Sequence, residues 1–135
     1  MHTVLEDMPV MFVEAPGGLT GVADAWERLE APLGSLRGRR FYGVYFKGSY
    51  RACVATTDGD VPGELGLDTA LIPGGLYATA KLRDWAEHTS EIEGAFAALQ
   101  DANEVDPTRP SIEFYRSQRE LVLYVPIIAD AQRTM

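Results

Sequence analysis

The chain of 135 residues has one cysteine and two histidines. A lone Cys53 excludes an internal disulfide. In "RACVATT" it sits in a β-like apolar run, where a thiol behaves as a small buried hydrophobe. His2 and His88 make no His-x-x-x-His pair and accompany no cysteine pair or Asp-rich loop, so no metal constellation is expected. No cofactor is expected either, because "GGLTG" lacks the Lys-Ser/Thr of a phosphate loop and the spacing of a dinucleotide turn. No apolar run approaches the roughly 18 residues of a membrane helix. The opening "MHTVLEDMPVMFVEAPGG" carries acids where a signal peptide carries bases. These absences predict a cytoplasmic protein without membrane contact.

Basic residues are scarce too, 12 Lys and Arg against 20 Asp and Glu, for a net charge of −8. Phosphate backbones are held by basic surfaces, so direct nucleic-acid binding is not expected. The one basic cluster, "RGRR" from Arg37 to Arg40, reads as a solvated turn before a strand. The length and an apolar share of 46% fit a single domain over 1–135 with one core.

What the sequence does contain is a faint internal repeat. At an offset of 70 residues Ala25 falls on Ala95, Trp26 on Phe96, Leu29 on Leu99, Arg39 on Arg109, Val44 on Phe114, Tyr45 on Tyr115 and Ala52 on Val122. Both halves read strand, helix, polar loop, strand, turn, strand: a first repeat over about 9–57, a connector at 58–75 and a second repeat over about 76–127. In the first, "PVMFVEA" is a strand, and Leu19, Val22, Ala23, Trp26 and Leu29 form a helical stripe ended by Pro32 and Gly34. "RRFYGVYF" and "SYRACVATT" make a hairpin turning at Gly48. The connector is rich in Gly, Pro and Asp, with room for one short strand near Thr69 to Ile72. In the second, "LYATAKLR" is a strand. "SEIEGAFAALQDAN" is a helix with Ile92, Ala95, Phe96 and Leu99 as its stripe and Thr89 or Ser90 as N-cap. "SIEFYRS" and "ELVLYVPI" close a last hairpin, and "ADAQRTM" is a frayed tail.

The predicted fold is α+β: two strand-helix-strand-strand repeats forming one antiparallel sheet with two helices on one face and a ligand cleft on the other. The helices are expected to cover Val44, Ile112 and Phe114, leaving Gly43, Tyr45, Glu113 and Tyr115 on the opposite face. Glu113 poses the functional question, because an acid among Ile, Phe and Tyr lies either on a wetted face or in a pocket. Tyr45 and Tyr115 line a cleft or pack a sheet face. Trp26 and Phe96 read as core. Trp85, in a loop after a strand, reads as a pocket lid or an interface anchor. Tyr50 and Tyr77 have no assignment.

"IPGGLYATAKL", followed by "RPSIEFY" and then "ELVLYVPI", resembles the GyrI-like domain family, whose duplicated strand-helix-strand-strand architecture is related to the SOUL haem-binding fold. The resemblance covers about Val10 to Ile127 and is clearest from Ile72 onward. It implies a cleft between the halves with a glutamate at its floor, matched by Glu113, and a pocket aromatic matched by Tyr124. The family includes ligand-sensing domains of multidrug-responsive regulators, proteins that protect DNA gyrase, and hydrolases that open cyclopropane rings. No helix-turn-helix precedes the domain in this sequence.

Three readings follow. In the first, the cleft holds a hydrophobic, cationic or aromatic small molecule, with Glu113 as charge partner and Tyr45, Tyr115, Tyr124 and Trp85 around it. In the second, Glu113 is the catalytic base of a hydrolase, with Tyr45 or Tyr124 donating to the leaving oxygen. In the third, the chain engages a protein partner, as a gyrase inhibitor does, through surface acids such as Asp58, Asp60, Glu64 and Asp68.

Overall fold

The computed structural model describes residues 1–15 and 18–129. The tail from 130 onward and the side chain of Leu19, which the sequence places on a helical stripe, lie outside the described part. The elements are β1 (His2–Leu5), β2 (Met8–Glu14), α1 (Val22–Glu30), β3 (Phe41–Phe46), β4 (Ser49–Ala55), α2 (Pro62–Leu65), β5 (Asp68–Ile72), β6 (Gly75–Arg83), α3 (Ser90–Ala102), β7 (Ser111–Tyr115) and β8 (Glu120–Pro126). All eight strands join one curled antiparallel half-barrel sheet, in the order β1-β6-β8-β7-β3-β4-β2-β5. No helix among the described residues is long and apolar enough to cross a membrane.

Local chemistry accounts for the elements. α1 ends where Pro32 enters a single 3-10 turn and Gly34 takes a positive φ of 70°. The β3–β4 hairpin turns on Lys47 (φ 51°) and Gly48 (φ 81°), and two positive φ values match the right-handed twist of the flanking strands. β1 was not anticipated: it is a four-residue edge strand, held only by β6 and too short to show a pattern.

The sheet is apolar on both faces. On one, Ala25 and Leu29 of α1 pack on Met11, Tyr50, Ala52 and Val54, with Trp26, Phe41 and Tyr45 at the margin. On the same face Phe96 and Leu99 of α3 pack with Ala78 and Val125. On the other face Val10, Tyr42, Val44, Cys53, Ile72, Tyr77 and Ile112 form a second cluster, joined by Phe114 and Tyr124. Cys53 is the expected buried thiol, pushed by burial up to about 12.

This corrects the expected sidedness. The helices cover the face of Tyr45 and Tyr115, not that of Val44, Ile112 and Phe114. "SIEFY" alternates between two covered faces rather than between core and water, so apolarity alone did not mark the helix side.

The basic cluster is not wholly solvated either. Arg39 donates twice to Asp60, at 2.9 and 2.8 Å, with side-chain exposures of 15% and 7%. The Thr57 backbone N–H and hydroxyl donate to the same carboxylate, which ties the connector to the approach to β3. These bonds hold the Asp60 carboxyl well below the usual carboxylate range, the Arg39 bond first among them. A depressed folded-state value means stability present above the ordinary Asp value and lost as pH falls through the folded one. Asp60→Asn should therefore cost about 1–3 kcal/mol in denaturant titrations at neutral pH, with a deficit that shrinks in acid. An unchanged midpoint at neutral pH contradicts the clamp.

Candidate functional site: a buried glutamate between two helices

β7 lies between β8 and β3 in the middle of the sheet. Period-two alternation turns Glu113 and Tyr115 toward the helices. Glu113 is 3% exposed and is the buried charged residue of the described part. Among the described residues no Lys, Arg or His comes within ion-pair distance of it.

Its partners are neutral donors. Tyr115 Oη donates to Glu113 Oε1 at 2.6 Å. Tyr50 Oη lies 3.5 Å from Tyr115 Oη, and Trp26 Nε1 donates to Tyr50 Oη at 2.9 Å. An indole N–H can only donate, and a phenol has one proton. With Tyr115 committed to Glu113, one orientation satisfies the row: Trp26 to Tyr50, Tyr50 to Tyr115, Tyr115 to the carboxylate. Burial raises the Glu113 pKa, and bonds from Tyr115 and Tyr45 partly oppose that rise. Burial and then the nearby carboxylate raise Tyr45 and Tyr115, and burial pushes Tyr50 up to about 12. All three phenols stay protonated donors at neutral pH.

Two cavities flank this row. One, of about 580 Å³, is lined by Glu113, Tyr45, Ile92, Glu93 and Phe96. The other, of about 640 Å³, is lined by Tyr115, Trp26, Phe41, Trp85 and Glu30. Glu113 and Tyr115 are two residues apart on one strand face, about 7 Å, so the cavities adjoin along β7 between α1 and α3. Their aromatics meet edge to face: Trp26 on Tyr115 at 5.3 Å, Trp85 on Tyr115 at 5.2 Å and Tyr45 on Phe96 at 5.9 Å between centroids. Trp85 Nε1 donates to the Ser117 carbonyl, which fixes its ring at the rim.

The structure thus brings together Glu113, Tyr45, Tyr115 and Trp85 of the expected residues. Tyr124 does not join them: it lies on the opposite face, edge-on to Tyr77 at 6.1 Å. Its odd offset from the β8 residues facing Glu113 puts it there, since Glu113 pairs with Leu123. Sequence reasoning missed Tyr50, took Trp26 as plain core, and gave Gly43 no part in shaping the site. Gly43 pairs with Glu113 across β3 and β7. A Cβ on it would stand 2.5 Å from Tyr50 Oη and 2.7 Å from Glu113 Oε1. A glycine inside a strand is the signal that another group approaches closely. Among the described residues no three His, Cys, Asp or Glu side chains converge as metal ligands.

No family model matches the chain, and no curated protein matches it. Its fold is similar to an integron cassette protein from the mobile metagenome of Vibrio cholerae, with a TM-score of 0.72, 14% identity and 95% of each chain covered. It is also similar to SAV2435, solved bound to tetraphenylphosphonium, with a TM-score of 0.63, 14% identity and 96% and 93% coverage. A third similar structure is a hydrolase from Listeria innocua, with a TM-score of 0.56, 11% identity and 95% and 90% coverage. At these identities the likeness is one of fold.

Two measurements check the site. Gly43→Ala should destabilise by about 1–3 kcal/mol through overpacking; a neutral result means that Tyr50 and Glu113 have room to move. Glu113→Gln should raise the melting temperature above pH 7, because a carboxyl with a raised folded-state value loses folding stability as pH climbs from the ordinary Glu value through the folded one. The gap should close in acid. A less stable Gln variant at neutral pH contradicts an uncompensated carboxylate.

Proposed function

We propose that the chain binds a hydrophobic small molecule, cationic or aromatic, in the groove between α1 and α3, with Glu113 as its charge partner. The observation that carries this is a 3% exposed carboxylate with no ion-pair partner among the described residues, lining a cavity that Tyr45 and Phe96 also wall. Desolvating a lone carboxylate is costly, and a bulky organic cation relieves that cost. Rings around the groove add cation–π attraction of about 0.5–2 kcal/mol. One charge and several flat walls fix no detailed shape, so selectivity is broad. The fold shared with a protein solved with tetraphenylphosphonium, a cation wrapped in four phenyl rings, supports the same chemistry here.

The reading includes a GyrI-like, duplicated architecture. Its support lies in contacts that exchange under the offset of 70. Tyr45 of the first half meets Phe96 of the second, and Tyr115 of the second meets Trp26 of the first. A hydrolase is the second reading, favoured by Tyr45 and Glu113 sharing one cavity and by the fold shared with a hydrolase. There Glu113 takes a proton from water as its oxygen bonds to a ring carbon and a cyclopropane C–C bond breaks, and Tyr45 donates to the conjugated oxygen that takes up the released electron pair. The surface-acid reading loses Asp60, which Arg39 already neutralises.

Calorimetry with tetraphenylphosphonium and its anionic isostere tetraphenylborate tests the main reading. Wild type should take the cation at least tenfold more tightly. Glu113→Gln should abolish that preference, and cation affinity should fall as pH drops through the raised Glu113 value. Equal binding of both ions, or a cation preference that survives the substitution, sinks the proposal. A cyclopropane electrophile incubated in parallel and read by mass spectrometry distinguishes the hydrolase, which releases a water adduct that the Gln variant does not.

A further inference from the structure

The opposite face of the sheet holds a third cavity, of about 430 Å³. Its floor is apolar: Val10, Val44, Cys53, Ala70 and Ile72, from β2, β3, β4 and β5. Register turns these residues away from Glu113, since Val44 pairs with Ile112 and Gly43 with Glu113. Pro73, Thr108 and Pro110 wall its side. Phe46 and Leu71, exposed to 36% and 61%, line it as well. A site of this size with an apolar floor and a few convergent polar groups is the usual form of a small-molecule pocket.

Its charged lining is two cations to one acid, Lys47 and Arg51 against Glu14. Lys47, Arg51 and Ser49 gather at the β3–β4 end. Arg51 is shared with Glu14 at 3.3 Å, a loose pair with both side chains about half exposed, and its guanidinium stacks 4.2 Å over Phe12. Lys47 has no carboxylate within ion-pair distance among the described residues, and its ammonium lies 5.1 Å over the Phe46 ring. The hairpin geometry holds Lys47 there, at the first of two positive-φ positions. One uncompensated cation and one half-compensated cation thus stand at the mouth of an apolar trough.

We propose that this trough is a second ligand site, separate from the Glu113 groove, that takes an amphipathic carboxylate: the alkyl or aryl body on Val10, Val44, Ala70 and Ile72, the carboxylate on Lys47 and Arg51. The apolar body covers Phe46 and Leu71, which otherwise face water. The two sites lie back to back on β3 and accept opposite charges, because alternate residues of one strand serve each.

Calorimetry with decanoate, at concentrations where it is monomeric, tests this beside decanol and decyltrimethylammonium. Decanoate should bind wild type at least tenfold more tightly than decanol. The double variant K47N/R51Q keeps a turn residue that tolerates positive φ, and it should erase that difference. A70F, which fills the trough from β5, should remove decanoate binding while circular dichroism and melting stay native-like. E113Q should leave decanoate binding unchanged, so this outcome is independent of the groove's function. The proposal is overturned by no decanoate binding to wild type, by decanol binding as tightly, by affinity that survives K47N/R51Q, or by loss in E113Q.

Discussion

A carboxylate withdrawn from water without a counter-charge is the constraint around which the molecule is arranged. Burying such a group among hydrocarbon is prohibitive unless it is protonated or well hydrogen-bonded. Here the hydrogen bonds come from phenols rather than from a base. Trp26 and Tyr50 orient Tyr115, and Tyr115 meets Glu113 at 2.6 Å. An arginine in that position would satisfy the carboxylate and, on the proposed reading, leave it no charge to offer a cationic ligand. Neutral donors hold its geometry and leave its charge unmatched. Burial raises the Glu113 pKa further than the Tyr115 and Tyr45 bonds lower it, so its charged form costs folding stability.

Gly43 shows how the backbone makes room for it. The β3–β7 register sets Gly43 beside Glu113, and the sequence offset of 70 aligns the same two positions. On the duplicated reading, the pair lies on the axis that exchanges the halves. Side chains at equivalent positions on such an axis compete for one volume. A Cβ at Gly43 would already press on Glu113 Oε1, so only one of the pair can carry a functional group. Glycine at 43 leaves the space beside Tyr50 and Tyr45 to the Glu113 carboxylate.

Much of this was legible from periodicity. The strands from β2 onward, the two main helices and the hairpin at Gly48 follow from apolar spacing and turn residues. The sidedness was not, because a sheet buried on both faces gives no polar face to read against. Tyr124 was assigned by motif and excluded by parity, since one step of register moves a side chain through the sheet. Trp26 sits on a helical stripe as a core residue does, yet its indole N–H serves the site, and nothing in a stripe separates those roles. Tyr50 needs the β3–β4 register, which sets it directly opposite Tyr45. Asp60 looked like a surface acid because its partner Arg39 lies across the hairpin in sequence.

The charge balance of the chain acts on the two faces in opposite senses. A net charge of −8 draws cations toward the molecule and repels anions at long range. On the two proposals, recruitment to Glu113 works with the overall field, and recruitment to Lys47 works against it. Salt screens the long-range part within about 8 Å at physiological ionic strength and leaves contact interactions largely intact. Association of an organic cation should then slow as salt rises, whereas association of a carboxylate with the opposite trough should quicken. A protein with one site and one field would show a single sign. Opposite salt dependences, read from association rates for tetraphenylphosphonium and decanoate on the same protein, are the kinetic signature of alternate residues along β3 serving two separate surfaces.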